Sequence, residues 1–348
     1  MAARAMTAGT IVLALVLAGL SGCLWRTPSP IVLPPAIAEP AALPGEHIPC
    51  PLCGEPAEEA QVARRILAVV IDNHPLSRPQ AGLVQACLVF EFPVEGGMTR
   101  LLAMYLCREA PVLLPIRSLR PYFLDWAAEL DAVLAYCGGT AEALLDLARL
   151  GIAGLDEVGR GQAYFERRPG RPAPHDLESG TSRLRQAMTD FGLAYEAGRR
   201  PSGLFRFGPV SGRSGEPARN LRVTYSRLSD VEYRYDEATG HYLRLQNGVA
   251  HICAVDRSLQ VTARTVLVME VSARYVPGSA EDHLELDLVG DGGARAFSRG
   301  VVSELRWARQ DRTGPTTFTL ADGSDLLLEP GPVWVQIVPT GVEVEVDG

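Results

Sequence analysis

The chain contains no lysine, so all 33 basic residues are arginine. This absence excludes Schiff-base chemistry and lysine nucleophiles, because both need a primary amine side chain. The 41 acidic residues give a formal net charge of −8 at pH 7. A nucleic-acid-binding protein usually carries a basic surface, and we therefore predict no nucleic-acid partner.

Apolar runs long enough to cross a membrane are also missing. The N-terminal run, residues 10–20, is about half as long as a membrane-spanning helix. Arg4 precedes it and Leu20-Ser-Gly-Cys23 follows it, which is typical of a secretory signal peptide. Residues 20–23 resemble the lipobox of bacterial lipoproteins, in which cleavage makes the lipidated cysteine the new N-terminus.

We therefore predict a signal peptide over residues 1–22 and lipidation at Cys23. The alternative is an ordinary signal peptide followed by a chance cysteine. A lipid anchor would hold the protein on the extracytoplasmic face of the cell membrane through its buried acyl chains.

Composition divides the rest of the chain into segments. Proline and alanine dominate the stretch after Cys23, which predicts an extended tether over residues 23–60. The length beyond it suggests two domains. We predict an N-terminal α/β or α+β domain with a mixed sheet at 61–207, a turn-rich linker at 208–220, and a mainly-β C-terminal domain at 221–342.

The two halves differ in their patterns. Short apolar runs alternate with helical spacing in the first half, which favours layers of strands and helices. The second half shows short strands separated by Gly and Asp turn signals, which predicts a sandwich or barrel-like domain. In the first half we expect strands at 66–72, 87–92, 100–106 and 132–137, and helices at 118–130, 140–150 and about 182–191.

Seven cysteines are present. Cys50 and Cys53 form a lone Cys-x-x-Cys, without the second pair that a zinc site usually has. We favour a disulfide or free thiols there over a metal site or a redox site, and we expect no metal and no cofactor. Four further cysteines lie in apolar runs and are expected in the core, namely Cys87, Cys107, Cys137 and Cys253.

A glycine pair interrupts the stretch FEFPVEGGMTRLLAMYL, residues 90–106. A phosphate-binding loop would lead into a helix, but the following LLAMYL run has no helical spacing. The stretch therefore predicts a β-hairpin with its turn at 95–97. The turn either is structural only or also presents Glu95 and Arg100 to a site.

Polar residues follow the predicted strand ends. Ligands of open α/β sheets bind beyond such ends, and guanidinium groups bind carboxylate or phosphate in a bidentate manner. These residues either form a site for an anionic or polar ligand, or they form internal salt bridges. The candidate ligand-binding residues are Asp72, Asn73, Arg78, Glu95, Arg100, Arg117, Arg120 and His175.

No catalytic set is recognisable. The chain has no G-x-S-x-G motif, and its carboxylates show no spacing that singles out a glycosidase pair. His175 is the best single candidate for a general base, although a buried structural histidine is the alternative.

Several stretches together resemble the YerB lipoprotein family. In the first half they include IDNHPLSRPQAGL, PIRSLRPYFLDWA, YCGGT and APHDL, and in the second half YRYDEATGHYLRLQNGVAHICAVDRSL and PGPVWVQIVP. The resemblance implies an outward-facing bacterial lipoprotein of two domains with no established activity. Two positions depart from the family pattern, with Cys53 in place of threonine and Asp176 in place of asparagine.

These observations predict a membrane-anchored binding or accessory module of the cell envelope. Its partner would be a cell-wall or other anionic ligand, or an envelope protein. The alternative is a cell-wall hydrolase that uses His175 or a carboxylate as its base. A pure scaffold is the third possibility, and it would expose an apolar patch instead of a cleft.

Overall fold

A computed structural model describes residues 47–194, 203–210, 215–276 and 283–348. The predicted signal peptide, Cys23 and the tether up to residue 46 lie outside these ranges, as does part of the predicted linker. All described residues belong to one compact unit. In the described ranges, none of the helices is both long and apolar enough to span a membrane.

The first half of the chain mixes helices and strands. Its helices are α1 (Glu59–Val62), α2 (Phe123–Glu129), α3 (Ala141–Arg149) and α4 (Thr181–Asp190). Its strands are β1 (Ile48–Pro49), β2 (Pro56–Ala57), β3 (Leu67–Asp72), β4 (Leu88–Pro93), β5 (Thr99–Tyr105), β6 (Val133–Tyr136), β7 (Gly154–Asp156), β8 (Glu166–Arg167) and β9 (Leu177–Glu178). The four predicted strands and three predicted helices are therefore confirmed.

Local chemistry explains the helix bounds. Helix α2 begins later than predicted, because Pro121 has no amide hydrogen for an internal helical position. The Thr140 hydroxyl caps α3 by accepting a hydrogen bond from the Ala143 amide at 3.2 Å. Gly151 follows this helix with a φ of 66°, as expected of a glycine just beyond a helix end.

The second half is made of strands in its described part. They are β10 (Arg206–Phe207), β11 (Glu216–Pro217), β12 (Asn220–Ser226), β13 (Ser229–Asp236), β14 (His241–Gln246), β15 (Val249–Ala250), β16 (Thr262–Ala263), β17 (Thr265–Val271), β18 (Ala273–Tyr275), β19 (Leu284–Leu286), β20 (Gly290–Ser298), β21 (Val301–Arg309), β22 (Thr317–Leu320), β23 (Leu327–Leu328), β24 (Val333–Pro339) and β25 (Glu343–Asp347). The expected mainly-β character of this half is confirmed.

One mixed sheet joins the two halves. Its order is β11-β21-β20-β17-β24-β4-β5-β3-β6-β7, with β22 beside β21. Strand β24 from the second half runs parallel to β4 from the first, and Val333 pairs with Leu88. A second sheet, β15-β14-β13-β12-β25 with β16 beside β14, comes from the second half. The two halves therefore share a backbone hydrogen-bond ladder within one sheet.

The two faces of the mixed sheet bury separate apolar cores. All six residues of β3 are buried, as its continuous apolar run predicts, and alternate side chains point to opposite faces. Val70 packs on one face in a core that includes Trp126 of α2. Val69 packs on the other face with Leu184 of α4 and Val223 of the second sheet.

The predicted tether is too long at its C-terminal end. Residues 48–62 form β1, β2 and α1 instead of an extended linker. Cys50, Leu52 and Cys53 are buried in the core on the α2 face. The prolines of this segment favoured the prediction of an extended tether. In the structure, β1 and β2 each contain one of these prolines and form a short strand pair at the margin of the fold.

Candidate functional site

Asp72, at the end of β3, organises a cluster of polar side chains. Its Oδ2 atom lies 2.7 Å from His175 Nδ1 and 3.6 Å from Arg117 Nε. Its Oδ1 atom accepts a hydrogen bond from the His74 amide at 3.0 Å. The β8–β9 hairpin brings His175 to this strand end. Three predicted site residues, distant in sequence, therefore meet at one carboxylate.

A second histidine covers His175. The rings of His74 and His175 are stacked, with their centroids 4.7 Å apart. Burial and the charge of His175 lower the pKa of His74. Asp72 and His175 are themselves nearly buried, whereas the side chain of Arg117 is 28% exposed. Arg117 is thus more open to a ligand from solvent than Asp72 and His175 are.

Arg100 lies behind this cluster on β5, directly across the ladder from Asp72. It is 6% exposed, and its Nη1 atom donates a hydrogen bond to the Ser118 carbonyl at 2.7 Å. Its buried Nε atom has no hydrogen-bond partner. Burial and the neighbouring charge of Arg120 lower the pKa of Arg100 to about 10. A buried cation with an unused donor is costly to maintain, so this position is a candidate site for an anion.

Glu95 and Arg120 form a neighbouring ion pair. The Arg120 guanidinium donates to both Glu95 oxygens, with distances of 2.8 to 3.1 Å. Burial alone would raise the pKa of Glu95, but the hydrogen bonds and charge of Arg120 outweigh burial and lower it. The pair lies in the wall of a 230 Å³ cavity, beside Tyr122.

The predicted hairpin turn presents Glu95 to this cavity. Strands β4 and β5 are antiparallel around residues 95–97, and Gly96 and Gly97 have φ values of 70° and 72°. Glycine adopts such positive φ angles without strain, so the hairpin interpretation is confirmed. Glu95 is paired with Arg120, and Arg100 is hydrogen-bonded to the Ser118 carbonyl, so a role of both residues in a ligand site stays a prediction.

Asn73 and Arg78 occupy a different place from the other candidates. Asn73 Nδ2 lies 3.1 Å from Glu91 Oε1 and 3.2 Å from Gln246 Oε1. Arg78 donates to Asn73 Oδ1 at 3.2 Å and to Asn247 Oδ1 at 2.7 Å. These two residues therefore connect the two halves of the chain, through a buried polar network.

The centre of this network is an ion pair between Glu91 of β4 and Arg244 of β14. Both side chains are 0% exposed, and Arg244 Nη2 lies 2.7 Å from Glu91 Oε2. Gln336 of β24 donates to the same Glu91 oxygen at 3.1 Å. The Arg244 guanidinium also stacks over the Trp334 ring, 4.8 Å from its centroid. Strands β4 and β24 therefore each place one polar side chain in this interface, and β14 places two, Arg244 and Gln246.

His251 completes the network as a neutral imidazole. Arg244 donates to its Nδ1 atom, so the ring proton is on Nε2, which lies 2.7 Å from Gln80 Oε1. Burial and the charge of Arg244 hold the pKa of His251 well below its usual value. Sequence reasoning missed these residues, although isolated charged or amide residues in the apolar runs CLVFEF, YLRLQ and VWVQIVP were an available signal.

The fold and these sites define a mainly-β protein of two sequence regions, which carries a polar cluster at its strand ends. Residues 52–194 match the model described as "Protein of unknown function (DUF3048) N-terminal domain". Residues 221–335 match the corresponding C-terminal domain. The chain belongs to the YerB family, which confirms the resemblance found in its motifs.

Two comparisons define the relation more closely. The Bacillus subtilis (strain 168) protein described as "Putative lipoprotein YerB" is 29% identical over 302 residues, which are 84% of this chain and 87% of that protein. The crystal structure of YerB protein from Bacillus subtilis matches with a TM-score of 0.75 and 26% identity. That match covers 86% of this chain and 99% of the crystallised one.

We expect Arg244→Met to destabilise the protein by about 3–5 kcal/mol, because it leaves the Glu91 carboxylate buried and unpaired. Urea unfolding at neutral pH measures the change. Adding Glu91→Gln to this variant should restore part of the loss, since no charge then remains buried. Arg222→Ala is the matched control, because its ion pair with Asp230 is on the surface. Equal losses for Arg222→Ala and Arg244→Met would contradict the assignment.

The lowered pKa of His251 predicts a pH dependence. Below the unfolded pKa of about 6.5 the unfolded chain binds a proton that the folded state excludes, so stability falls as pH decreases. This one group contributes a slope of up to about 1.4 kcal/mol per pH unit, which is absent above that pKa. Urea unfolding across this range should show a smaller slope for His251→Gln than for the control His47→Gln, which changes an exposed histidine. Identical slopes in the two variants would contradict a contribution of His251 to this pH dependence.

Proposed function

We propose that this chain is a lipid-anchored envelope protein that binds a carboxylate or phosphate group at its strand-end arginines. The binding site comprises Arg100, Arg117 and Arg120, together with Asp72, Glu95 and His175. The anchor rests on the lipobox-like residues 20–23 and on the description of the Bacillus subtilis relative as a lipoprotein. We place the protein on the extracytoplasmic face, because a signal peptide directs the chain across the membrane.

The unused donor of Arg100 is the observation that carries the binding proposal. In the described chain no carboxylate forms an ion pair with this guanidinium, although it is almost fully buried. Folded proteins normally pair such charges, so an unpaired one is typical of a site completed by a ligand. A ligand can reach the partly exposed Arg117 side chain from solvent, and Arg120 adds a third positive charge.

The local balance of charge supports an anionic ligand. Of the six side chains in the proposed site, three are guanidinium groups and two are carboxylates, those of Asp72 and Glu95, while further carboxylates, among them Asp125 and Asp146, line the cavity beside Arg120. The pKa of Arg100 is lowered first by burial and then by the charge of Arg120, and Asp72 offsets this only in part. A bound carboxylate or phosphate would compensate the excess and accept the hydrogen bond that Arg100 Nε can donate. Cell-wall polymers carry both kinds of group.

The hydrolase alternative receives less support. His175 is oriented by Asp72, as a general base would be, but no serine or cysteine is hydrogen-bonded to it in the described ranges. The nearby carboxylates are engaged as well, Asp72 with His175 and Arg117, and Glu95 with Arg120. A carboxylate free to activate water is therefore not found among them, and binding explains the same residues without one.

We also propose a finer division of the fold. Residues 61–207 would be an α/β or α+β domain, and residues 221–342 a mainly-β domain, with 208–220 as the connection. The alternation of strands with α2, α3 and α4 supports the first assignment. The shared sheet means that this division is one of sequence regions more than of separable bodies.

The anchor predicts covalent lipid at one position. Mass spectrometry of the N-terminal peptide from bacterial membranes should show a diacylglyceryl group on Cys23, and Cys23→Ala should abolish labelling with a palmitate analogue. Cys137→Ala is the control and should keep the label. Labelling that persists in Cys23→Ala, or an intact N-terminal sequence beginning at Met1, would contradict the proposal. Protease treatment of intact protoplasts tests the outward orientation, because only an outward domain is digested.

The site predicts anion-dependent stabilisation. Inorganic phosphate and soluble muropeptides should each raise the melting temperature of the full-length protein in detergent, compared with chloride at equal ionic strength. Arg117→Ala and Arg100→Met should lose this increase. Arg206→Ala, whose side chain is 75% exposed, should retain it as the matched control.

Arg100→Met also separates a ligand site from a structural role. Without ligand, this variant should be as stable as the wild type or more stable, because it removes a buried charge that no carboxylate pairs with. A large fall in melting temperature would show that Arg100 is structural. The absence of any anion-dependent increase in the wild type would contradict the binding proposal.

A further inference from the structure

Four cysteines from three separate segments meet at one point in the core. The Sγ atoms of Cys50, Cys53, Cys87 and Cys107 all lie within 4.8 Å of one another. Cys107 Sγ is 3.5 Å from both Cys53 Sγ and Cys87 Sγ. A tetrahedral zinc ion with Zn–S bonds of about 2.3 Å separates its sulfur ligands by about 3.8 Å. The observed spacing is therefore that of a tetrahedral thiolate set.

The local backbone explains how two of these thiols are presented. The run Cys-Pro-Leu-Cys-Gly forms the turn between β1 and β2, in which the Gly54 amide donates to the Cys50 carbonyl at 2.7 Å. Gly54 has a φ of 69°, and a Cβ there would lie 2.5 Å from Phe207. A side chain at this position is excluded on both grounds. The tight turn directs Cys50 and Cys53 toward the same point.

The other two thiols come from adjacent ends of the central sheet. Cys87 directly precedes β4, and one residue, Leu106, separates Cys107 from the end of β5. These strands are antiparallel neighbours, and the Cys87 amide donates to the Met104 carbonyl at 2.9 Å. Strand pairing alone therefore holds Cys87 beside Cys107. The spacing in sequence, 20 residues, hides this pair from a search for a second Cys-x-x-Cys.

The surroundings suit a closed metal site. Cys50, Cys53 and Cys87 are 0% exposed and Cys107 is 7% exposed, so no position is left open to substrate. Four thiolates around a divalent ion carry a net charge of −2, which needs nearby compensation. Arg64, Arg108 and Arg185 surround the loop at Cys107, and two carboxylates, Glu55 and Glu109, pair with them. These five groups leave one positive charge in excess, and the Glu55 carboxylate lies 3.9 Å from Cys53 Sγ.

We propose that Cys50, Cys53, Cys87 and Cys107 bind one Zn²⁺ ion in a structural site that fastens the β1–β2 segment to the central sheet. A closed set of four sulfur ligands is typical of structural zinc, and thiolate ligands favour zinc over magnesium or calcium. Cys50 and Cys53 are free thiols in the structure, which is one of the two states expected of them, and the proposal adds a metal ion to these thiols. Zinc binding at these cysteines and anion binding at the strand-end arginines are independent proposals.

Metal analysis of the full-length protein, purified in detergent without chelator, is the first test. Inductively coupled plasma mass spectrometry should find one zinc per chain. Substituted cobalt should give thiolate-to-cobalt charge-transfer bands and the ligand-field spectrum of a tetrahedral site. Iron in place of zinc, or substoichiometric metal in protein that has been refolded with zinc, would overturn the assignment. These measurements need no variant, so they hold even if a cysteine variant fails to fold.

Variants and thiol counting provide the second test. Cys87→Ala should lose the zinc and lower the melting temperature to that of chelator-treated wild type. Cys253→Ala is the matched control, because this cysteine is buried at 2% exposure outside the cluster. The Cys253→Ala variant should keep its full zinc content.

Thiol counting distinguishes zinc binding from the rival state, in which the four cysteines form two disulfides. In that rival state, alkylating reagents would label the four thiols only after reduction, and chelator with denaturant would not expose them. That result would overturn the proposal.

Discussion

The buried ion pair between Glu91 and Arg244 is the constraint on which the architecture depends. Each charge lies in an interior from which water is excluded, and each would be strongly destabilising without the other. One comes from the first region and the other from the second sheet, and Gln336 of β24 joins them. Neither region can therefore pair its own buried charge until the other is in place, so this pair couples the two regions that also share a sheet.

Two polar sites in this protein follow opposite rules. Around Glu91 the donors and acceptors are matched, and His251 adopts the one tautomer that satisfies both Arg244 and Gln80. Around Arg100 a buried donor is unused, and no carboxylate of the described chain forms an ion pair with its guanidinium group. A matched network contributes structural specificity, whereas an incomplete one is where a protein keeps capacity for a ligand. The contrast within one molecule supports reading the arginine-rich region as functional.

The sequence predicted the elements of the first region well, because β3 to β6 are continuous apolar runs and α3 has both a Thr140 cap and a Gly151 stop. It also brought Asp72, Arg117 and His175 into one hypothesis, since strand ends collect polar side chains. It did not predict which strands from the two regions become neighbours, because the apolar runs of β4 and β24 specify burial but not a partner. The thiol cluster was hidden for the same reason: Cys87 and Cys107 are close only through the pairing of β4 with β5.

The pairing of β24 with β4 has a consequence for how the chain reaches its folded state. Glu91 and Gln336, side by side in the sheet, are 245 residues apart in sequence. A chain that leaves the ribosome or a translocation channel from its N-terminus presents the apolar edge of β4 long before β24 is available to cover it. Contacts of such range slow folding, and an open strand edge invites pairing with other chains. This edge of β4 therefore stays uncovered until the C-terminal strand β24 has been made.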